Sequence, residues 1–465
     1  MLTLINTNTM QPAIAPVGLD YIAGSAKQAG LDVEIVDLCL AGDPYAALRD
    51  YFASHNSDLI GLSFRNVDDC FWPSCQWFVP KLAELIKKLK TLTAAPMVVG
   101  GVGFSIFAKQ IVEYTGADFG VCGDGEQAIV SLYRDLKDNK TIPHYSILDG
   151  CTNQPERLSL STSRNAIDNA TYFKRGGQVG IETKRGCNRN CIYCADRLSK
   201  GTSNRLRLPA EVVDEAESLL AQGIDVLHIC DSEFNIPGQH AMAICEEFIR
   251  RGLGRRLKWY TYMAVVPFDA DLAVAMRKAG CIGIDFTGDS ASPAMLKTYR
   301  QPHTPETIAS AVRLCKDYGI KVMIDLLLGG PGETPQTAKQ TIDFIKQINP
   351  DCAGAPLGVR IYPGTEMVNI VAAEGQLETN PNIHRKYTGP LDLFRPTFYI
   401  SHLLGERPAR LIKDLIAGDK RFFEPIDETD AIATDHNYND NTELVNAIKA
   451  GARGAYWDIL HKLRC

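Results

Sequence analysis

The alternation of short apolar runs with amphipathic stretches constrains this chain more than any other feature. In the first 140 residues, "LTLIN", "DVEIVDL", "LIGLSF", "MVVGG" and "DFGVCG" are bounded by Gly, Asp or Asn, and helical patterns such as "GLDYIAGSAKQAG" and "FVPKLAELIKKLK" lie between them. Strands that alternate with helices form a parallel sheet covered on both faces. Residues 1–140 are therefore read as an α/β domain, a Rossmann-like doubly wound parallel sheet. Ligands of such sheets bind in the crevice at the carboxyl ends of the strands.

Residues 141–178 show no sustained period and many turn formers, and read as a linker. From residue 179 the alternation returns as "QVGIETKRG", "VLHICDSEFN", "KWYTYMAV", "CIGIDFTGDS", "KVMIDLLLGGPGET" and "APLGVRIYPGT". Six such units are too few to close an eight-stranded barrel. A partial (β/α)6 TIM barrel, open on one side, is expected over residues 179–375, with its chemistry on the loops after the strands. Residues 376–465 read as a helical C-terminal domain in which "GARGAYWDIL" docks Tyr456 and Trp457 into a core.

Composition sets limits. With 45% hydrophobic and 22% charged residues the chain is ordinary for a soluble globular protein. A net charge of −6 speaks against a broad phosphate-binding surface, so no nucleic-acid partner is expected. No apolar run approaches the roughly 20 residues that span a bilayer, and "MLTLINTNTMQP" lacks the basic start of a secretion signal. A cytoplasmic protein without a membrane span is expected. Its fourteen cysteines then read as reduced thiols, with any tight cluster reserved for metal.

One tight cluster exists. Cys187, Cys191 and Cys194 in "RGCNRNCIYCADR" follow the first strand of the second domain. Thiolates suit zinc and iron–sulfur clusters, but a structural zinc site needs a fourth ligand, and neither Cys nor His follows at knuckle spacing in the next thirty residues. Three thiolates on a four-iron cluster would leave one iron open to a ligand. The Cys-x3-Cys-x2-Cys spacing, with Tyr193 before the last cysteine, resembles the signature of the radical S-adenosylmethionine enzymes. That resemblance implies a 4Fe-4S cluster whose open iron chelates S-adenosylmethionine and, once reduced, yields a 5′-deoxyadenosyl radical. It also places "DSE" (Asp231, Ser232, Glu233) where the family holds the methionine amino group, although the usual Gly-Gly-Glu is absent. Asp289 or Ser290, at the end of "GIDFTGDS", would meet ribose or carboxylate.

A doubly wound domain ahead of such a barrel resembles the cobalamin (B12)-dependent members of that family. The residues carrying the likeness are Pro16 and Gly18 in "APVGLDYIAG", Ser63, Arg65 and Asn66 in "LSFRN", Gly100, Gly101, Gly103 and Ser105 in "GGVGFS", and Gly123, Gly125 and Glu126 in "GDGE". The glycines are expected to let a corrin lie across the sheet. No histidine occurs between residues 1 and 54 to serve as a lower ligand, so Arg65 is the candidate to sit beneath cobalt. Arg360 and Tyr362 in "GVRIYPGT" and His436 in "TDHNYND" are candidates for the substrate cavity.

The function implied is cobalamin-dependent methylation of an unactivated carbon of a small-molecule or peptide substrate, with a flavodoxin- or ferredoxin-like reductant. The alternative within the same architecture is a cyclase, ring-contraction or oxidative enzyme without net methyl transfer. A methylthiotransferase is disfavoured, because Cys39, Cys70, Cys75 and Cys122 are scattered and the tail after 376 is rich in Asp and Glu.

Overall fold

The computed structural model describes residues 1–151, 154–427 and 438–464. The first five apolar runs form parallel strands β1 (Leu2–Asn6), β2 (Val33–Asp37), β3 (Leu59–Ser63), β4 (Met97–Gly100) and β5 (Phe119–Gly123). They are joined by Ser146–Gly150 (β6), in the order β2-β1-β3-β4-β5-β6. Chain direction across the sheet reverses between β1 and β3, which makes the gap above them the natural ligand crevice. The covering helices follow their apolar spacing. Val79–Leu92 starts with Pro at its first turn and buries Leu82, Leu85, Ile86 and Leu89 on one face.

The linker expected over 141–178 is not structureless. β6 pairs with β5 from Phe119↔Ser146 to Gly123↔Gly150, and Asn169–Gly176 is a helix capped by the Asp168 side chain. "SILDG" was illegible because an edge strand with only its alternate residues half covered carries little apolar signal.

The second sheet contains five of the six expected barrel strands, β7 (Val179–Ile181), β8 (Val226–Ile229), β9 (Lys258–Ala264), β10 (Cys281–Asp289) and β11 (Lys321–Leu326). Its sixth, β12 (Cys352–Gly354), precedes the expected "APLGVRIYPGT", whose Val359–Arg360 pairs in a separate antiparallel sheet, and β7 to β12 are all parallel. Outward side chains such as Ile284, Phe286, Val322 and Ile324 pack in one large core against helices that include Pro305–Asp317 and Pro335–Ile348. Thr304 and Thr334 open those two helices with reciprocal capping boxes.

Residues 376–465 are not simply helical. Ile383–Arg385 (β14) and Thr397–Tyr399 (β15) make a small antiparallel sheet with Val359–Arg360 (β13) from the preceding segment. Phe422–Phe423 (β16) extends the barrel sheet beside β12. Strands of two or three residues are too short to show a period. Tyr456–Arg464 is the expected docking helix, and its Trp457 packs against Tyr260 at the closed end of the barrel with ring centroids 6.0 Å apart.

Candidate functional site

The two domains meet across charged seams. Arg164, fully buried, donates to Asp20 at 2.6 Å and to Glu215 at 2.6 Å, while Arg207 holds the other oxygen of Glu215 at 2.5 Å. Tyr21 donates to Glu215 at 2.8 Å. Asp20 and Tyr21 come from the first domain's helix Val17–Gln28, and Glu215 from the barrel helix Pro209–Ala221. A second seam pairs Arg185 with Asp124 (2.9 Å), Glu126 (3.0 Å) and Glu182 (2.7 Å), and Arg205 with Asp124. These contacts fix the carboxyl ends of the first sheet against the loop leaving β7.

At the switch point a crevice of about 480 Å³ opens, lined by Thr7, Asn8 and Met10 after β1 and by Phe64, Arg65 and Asn66 after β3. Arg65 is exposed there and has neither a hydrogen bond nor an ion pair among the described residues. Its charge is felt by Tyr262 and Cys230 of the barrel. Pro16 precedes the helix that starts at Val17, and Ser63 closes β3 with its carbonyl bonded to Thr7.

The expected role of the glycines needs correction. A Cβ on Gly101 would lie 2.6 Å from the Phe64 carbonyl oxygen, and one on Gly103 would lie 2.9 Å from Arg65 backbone. At Gly123 and Gly125 it would strike Cys151 at 2.5 Å and Ile22 at 2.8 Å, while at Gly100 it would make ordinary contact with Val121. Protein packing therefore demands glycine at most of these positions. Gly18 alone among the six faces open space. Ser105 ties the same loops together, donating to the Gly101 carbonyl and accepting from the Gly123 amide at 3.0 Å. Glu126 is taken up by Arg185.

Cys187, Cys191 and Cys194 lie on the loop after β7, Cys187 buried and the others half-buried. Burial pushes the Cys191 thiol up to about 11 and raises those of Cys187 and Cys194; the three thiols also act on one another. Among the described residues no three His, Cys, Asp or Glu side chains converge as ligands of a single ion. A four-iron cluster would take one thiolate at each of three corners. A set of thiols held protonated in low dielectric becomes a thiolate set only against positive charge such as iron provides.

Around that loop the anticipated residues divide into supports and open positions. Asp231 is buried and accepts from the Thr183 amide at 2.8 Å and hydroxyl at 2.5 Å, clamping the start of the cysteine loop. Ser232 donates to Asp196 at 2.6 Å beneath it. Tyr193 donates to Asp289 at 2.7 Å, and Gln301 donates to the same carboxylate at 2.5 Å and to Cys191 sulfur at 3.3 Å. Asp289 thus steadies the cysteine loop. Ser290 points away, paired with Thr341 at 2.8 Å and fully buried. Arg360 is spent on Asp68 (2.9 Å) and three backbone carbonyls, and Tyr362 packs 4.8 Å from its guanidinium in the apolar core. His436 lies outside the described residues.

Glu233 differs from all of these. Thr287 donates to its Oε1 at 2.9 Å, but Oε2 is buried without a partner. Burial raises its carboxyl to about 7. An oxygen in that condition needs a donor.

Sequence reasoning overlooked the inner face of the barrel below this level, where His228, Tyr262, Asp285 and Asp325 gather. The available signal was a polar residue at every second place of "IDFTGD", with the apolar residues facing the helices instead.

Residues 4–133 match the B12 binding domain family and residues 181–345 the radical SAM superfamily. Among curated proteins, the tryptophan 2-C-methyltransferase of Streptomyces laurentii is 27% identical over 98% of this chain and 94% of its own length. Among solved structures, the radical S-adenosylmethionine methyltransferase TsrM of Kitasatospora setae with tryptophan and a SAM analog bound superposes with a TM-score of 0.89, 29% identical, over 100% of this chain and 99% of its own. Its form with cobalamin and a 4Fe-4S cluster superposes at 0.88, 27% identical, over 100% of this chain and 98% of its own. No helix among the described residues is long and apolar enough to cross a membrane. With a B12-binding domain followed by a radical SAM domain, the chain has the architecture of the cobalamin-dependent radical S-adenosylmethionine enzymes and is similar along its whole length to methyltransferases among them.

Proposed function

We propose that this chain methylates a carbon of a small aromatic substrate, with tryptophan the first candidate because relatives matched along nearly their whole length act on it or bind it. The observation that carries this reading is the pair of unmet polar groups in the two domains: Arg65 without a hydrogen bond or ion pair among the described residues in the switch-point crevice, and the buried free oxygen of Glu233 after the barrel strand next to that of the three cysteines. Cobalamin, S-adenosylmethionine and the cluster together supply an activated methyl group and, on reduction by a flavodoxin- or ferredoxin-like partner, a 5′-deoxyadenosyl radical.

The chain's own residues do the rest. Cys187, Cys191 and Cys194 would hold the cluster. The free oxygen of Glu233 would accept from the ammonium of S-adenosylmethionine, which gives a partner to the one carboxyl oxygen now buried without one. Arg65 would lie against the corrin, where a fixed cation disfavours a further ligand on the metal. Asp231, Ser232 and the Tyr193–Asp289–Gln301 group would orient the cysteine loop.

The test is anaerobic reconstitution with iron, sulfide and hydroxocobalamin, followed by incubation with S-adenosylmethionine, a reductant and tryptophan. Methylated tryptophan in step with S-adenosylhomocysteine is expected. Stoichiometric 5′-deoxyadenosine would add the radical step; methylation without it removes that step and leaves methyl transfer standing. Failure to retain any corrin would overturn the reading.

A further inference from the structure

A TIM-type barrel normally fills its interior with branched apolar side chains. Here one inner layer is polar. Tyr262 of β9 sits directly opposite Asp285 of β10, Asp285 is opposite Met323 of β11, and Asp325 lies one pleat further along β11, opposite Gly354 of β12. The two carboxyls are therefore diagonal neighbours on one face. The ring of His228, from β8, lies 5.0 Å from that of Tyr262.

Three observations say that this layer faces a space meant to be filled. Tyr262 is 39% exposed although it stands inside a central strand, so its ring borders an open chamber. Asp285 is only 4% exposed, and its Oδ1 has no hydrogen-bond partner. The wall is also cut back: a Cβ on Gly354 would come within 2.2 Å of Asp325 Oδ1.

The charges acting on Asp285 are those of Asp325 and Glu233, and no Lys or Arg is among them. Burial pushes Asp325 up to about 7 and raises Asp285 well above its usual range. Burial also lowers His228 to about 4, which leaves its ring neutral and no counter-ion for the acids. The chamber floor is apolar, built from Tyr260, Met323 and Trp457, and the Tyr260 hydroxyl is already bonded to Asp458 at 2.7 Å.

A buried carboxylate without a partner costs several kcal/mol, and a cation relieves it. A metal ion is the poorer occupant, since among the described residues no third His, Cys, Asp or Glu converges on the pair. An organic ammonium attached to a flat apolar body satisfies the whole layer: charge against the two acids, and ring or cation face against Tyr262.

We propose that Asp285 and Asp325 form the amine-recognition site of the substrate chamber and select a substrate with a protonated amine on an aromatic body. This rests on the reading that the barrel mouth is where the substrate is methylated, and it adds the class of substrate and the residues that choose it. The aromatic body would stand on the Tyr260–Trp457 floor.

The test is equilibrium binding to reconstituted holoenzyme with two probes that share one ring, tryptamine and 3-methylindole, measured without turnover. Wild-type protein should bind tryptamine at least tenfold more tightly. Asp285→Asn and Asp325→Asn should each weaken tryptamine tenfold or more while 3-methylindole stays within twofold. Equal affinity of wild type for the two probes would overturn the proposal, and that arm needs no variant to fold. Preference for tryptamine surviving in both variants would overturn it too. Tight tryptamine binding without any methylated product would count against methyl transfer alone, and methyl transfer without amine discrimination would count against this site alone.

Discussion

At the domain seam, Asp20, Arg164, Glu215 and Arg207 are fully buried, and every charge faces an opposite one within 2.6 Å. In the barrel interior, Asp285 is nearly as buried and faces another acid. The same physics governs both. Two charges taken out of water together recover most of what each loses alone, whereas a single carboxyl keeps its proton until something arrives to replace it. The seam is thus closed electrostatically by the chain itself, and the barrel layer is closed only by a ligand. Opposite charges set against one another mark the residues that hold the domains in register; an acid set against another acid marks a place where a cation is missing.

The largest effect should come from breaking the closed side. Arg164→Met keeps much of the side-chain volume but strips Asp20 of its cation and Glu215 of one of two. Removing one member of a buried ion network costs about 3–5 kcal/mol. Urea unfolding should show that loss, and a cost below about 1 kcal/mol would mean the seam is not what aligns the domains.

The open side should respond to pH instead. Burial, and then the Asp289 charge, pushes the Asp325 carboxyl up to about 7, well above its ordinary range. A carboxyl raised on folding contributes stability that is fully present below its unfolded pKa and is lost as pH rises through its folded value. Without substrate, stability should therefore fall between about pH 4 and pH 7, with a slope up to about 1.4 kcal/mol per pH unit for each such carboxyl. Asp325→Asn should flatten that slope measurably. An unchanged slope would show that Asp325 is already ionised in the empty chamber.

Gly354→Ala puts a methyl group against the Asp325 carboxyl, with Met323 Cε 3.0 Å away on the other side. Overpacking of this kind costs about 1–3 kcal/mol. In an Asp325→Ala background the cost should drop below about 1 kcal/mol, because the obstruction is the carboxyl and not the backbone. Equal costs in both backgrounds would place the constraint elsewhere and remove the reason to regard Gly354 as shaped for the chamber.

The contrast between seam and barrel also explains what the sequence made legible. The parallel sheets and the cysteine loop were readable because apolar strands covered by helices and a three-thiol spacing are local patterns. The seams were not, since Asp20, Arg164 and Glu215 are far apart in sequence and each looks like an ordinary surface charge on its own segment. Asp231, Asp289 and Ser290 stand at or just past strand ends, yet only the three-dimensional contacts distinguish a support from an open position; Glu233 is recognisable by the partner that its Oε2 lacks. The barrel acids were hidden because a polar residue at every second place in a strand ordinarily means solvent, and here it means an enclosed chamber.

Asp289 stands between the two regimes, buried yet supplied with two donors, and it offers the finest test of the contrast. Burial pushes its carboxyl up to about 6, while the hydrogen bonds from Tyr193 and Gln301 hold it down against that trend. Tyr193→Phe removes the hydroxyl that donates at 2.7 and 2.9 Å and leaves Gln301 as the remaining partner. Because the lost bond favours the ionised form, the carboxyl should titrate higher in the variant, and the two proteins should diverge in stability as pH rises through about 6. The expected difference is about 1 kcal/mol at pH 8, the size of one hydrogen bond with a second partner kept, and smaller at pH 5, where the proton replaces the missing donor. A difference that does not depend on pH would assign Tyr193 to packing alone and would take Asp289 out of the partnered class.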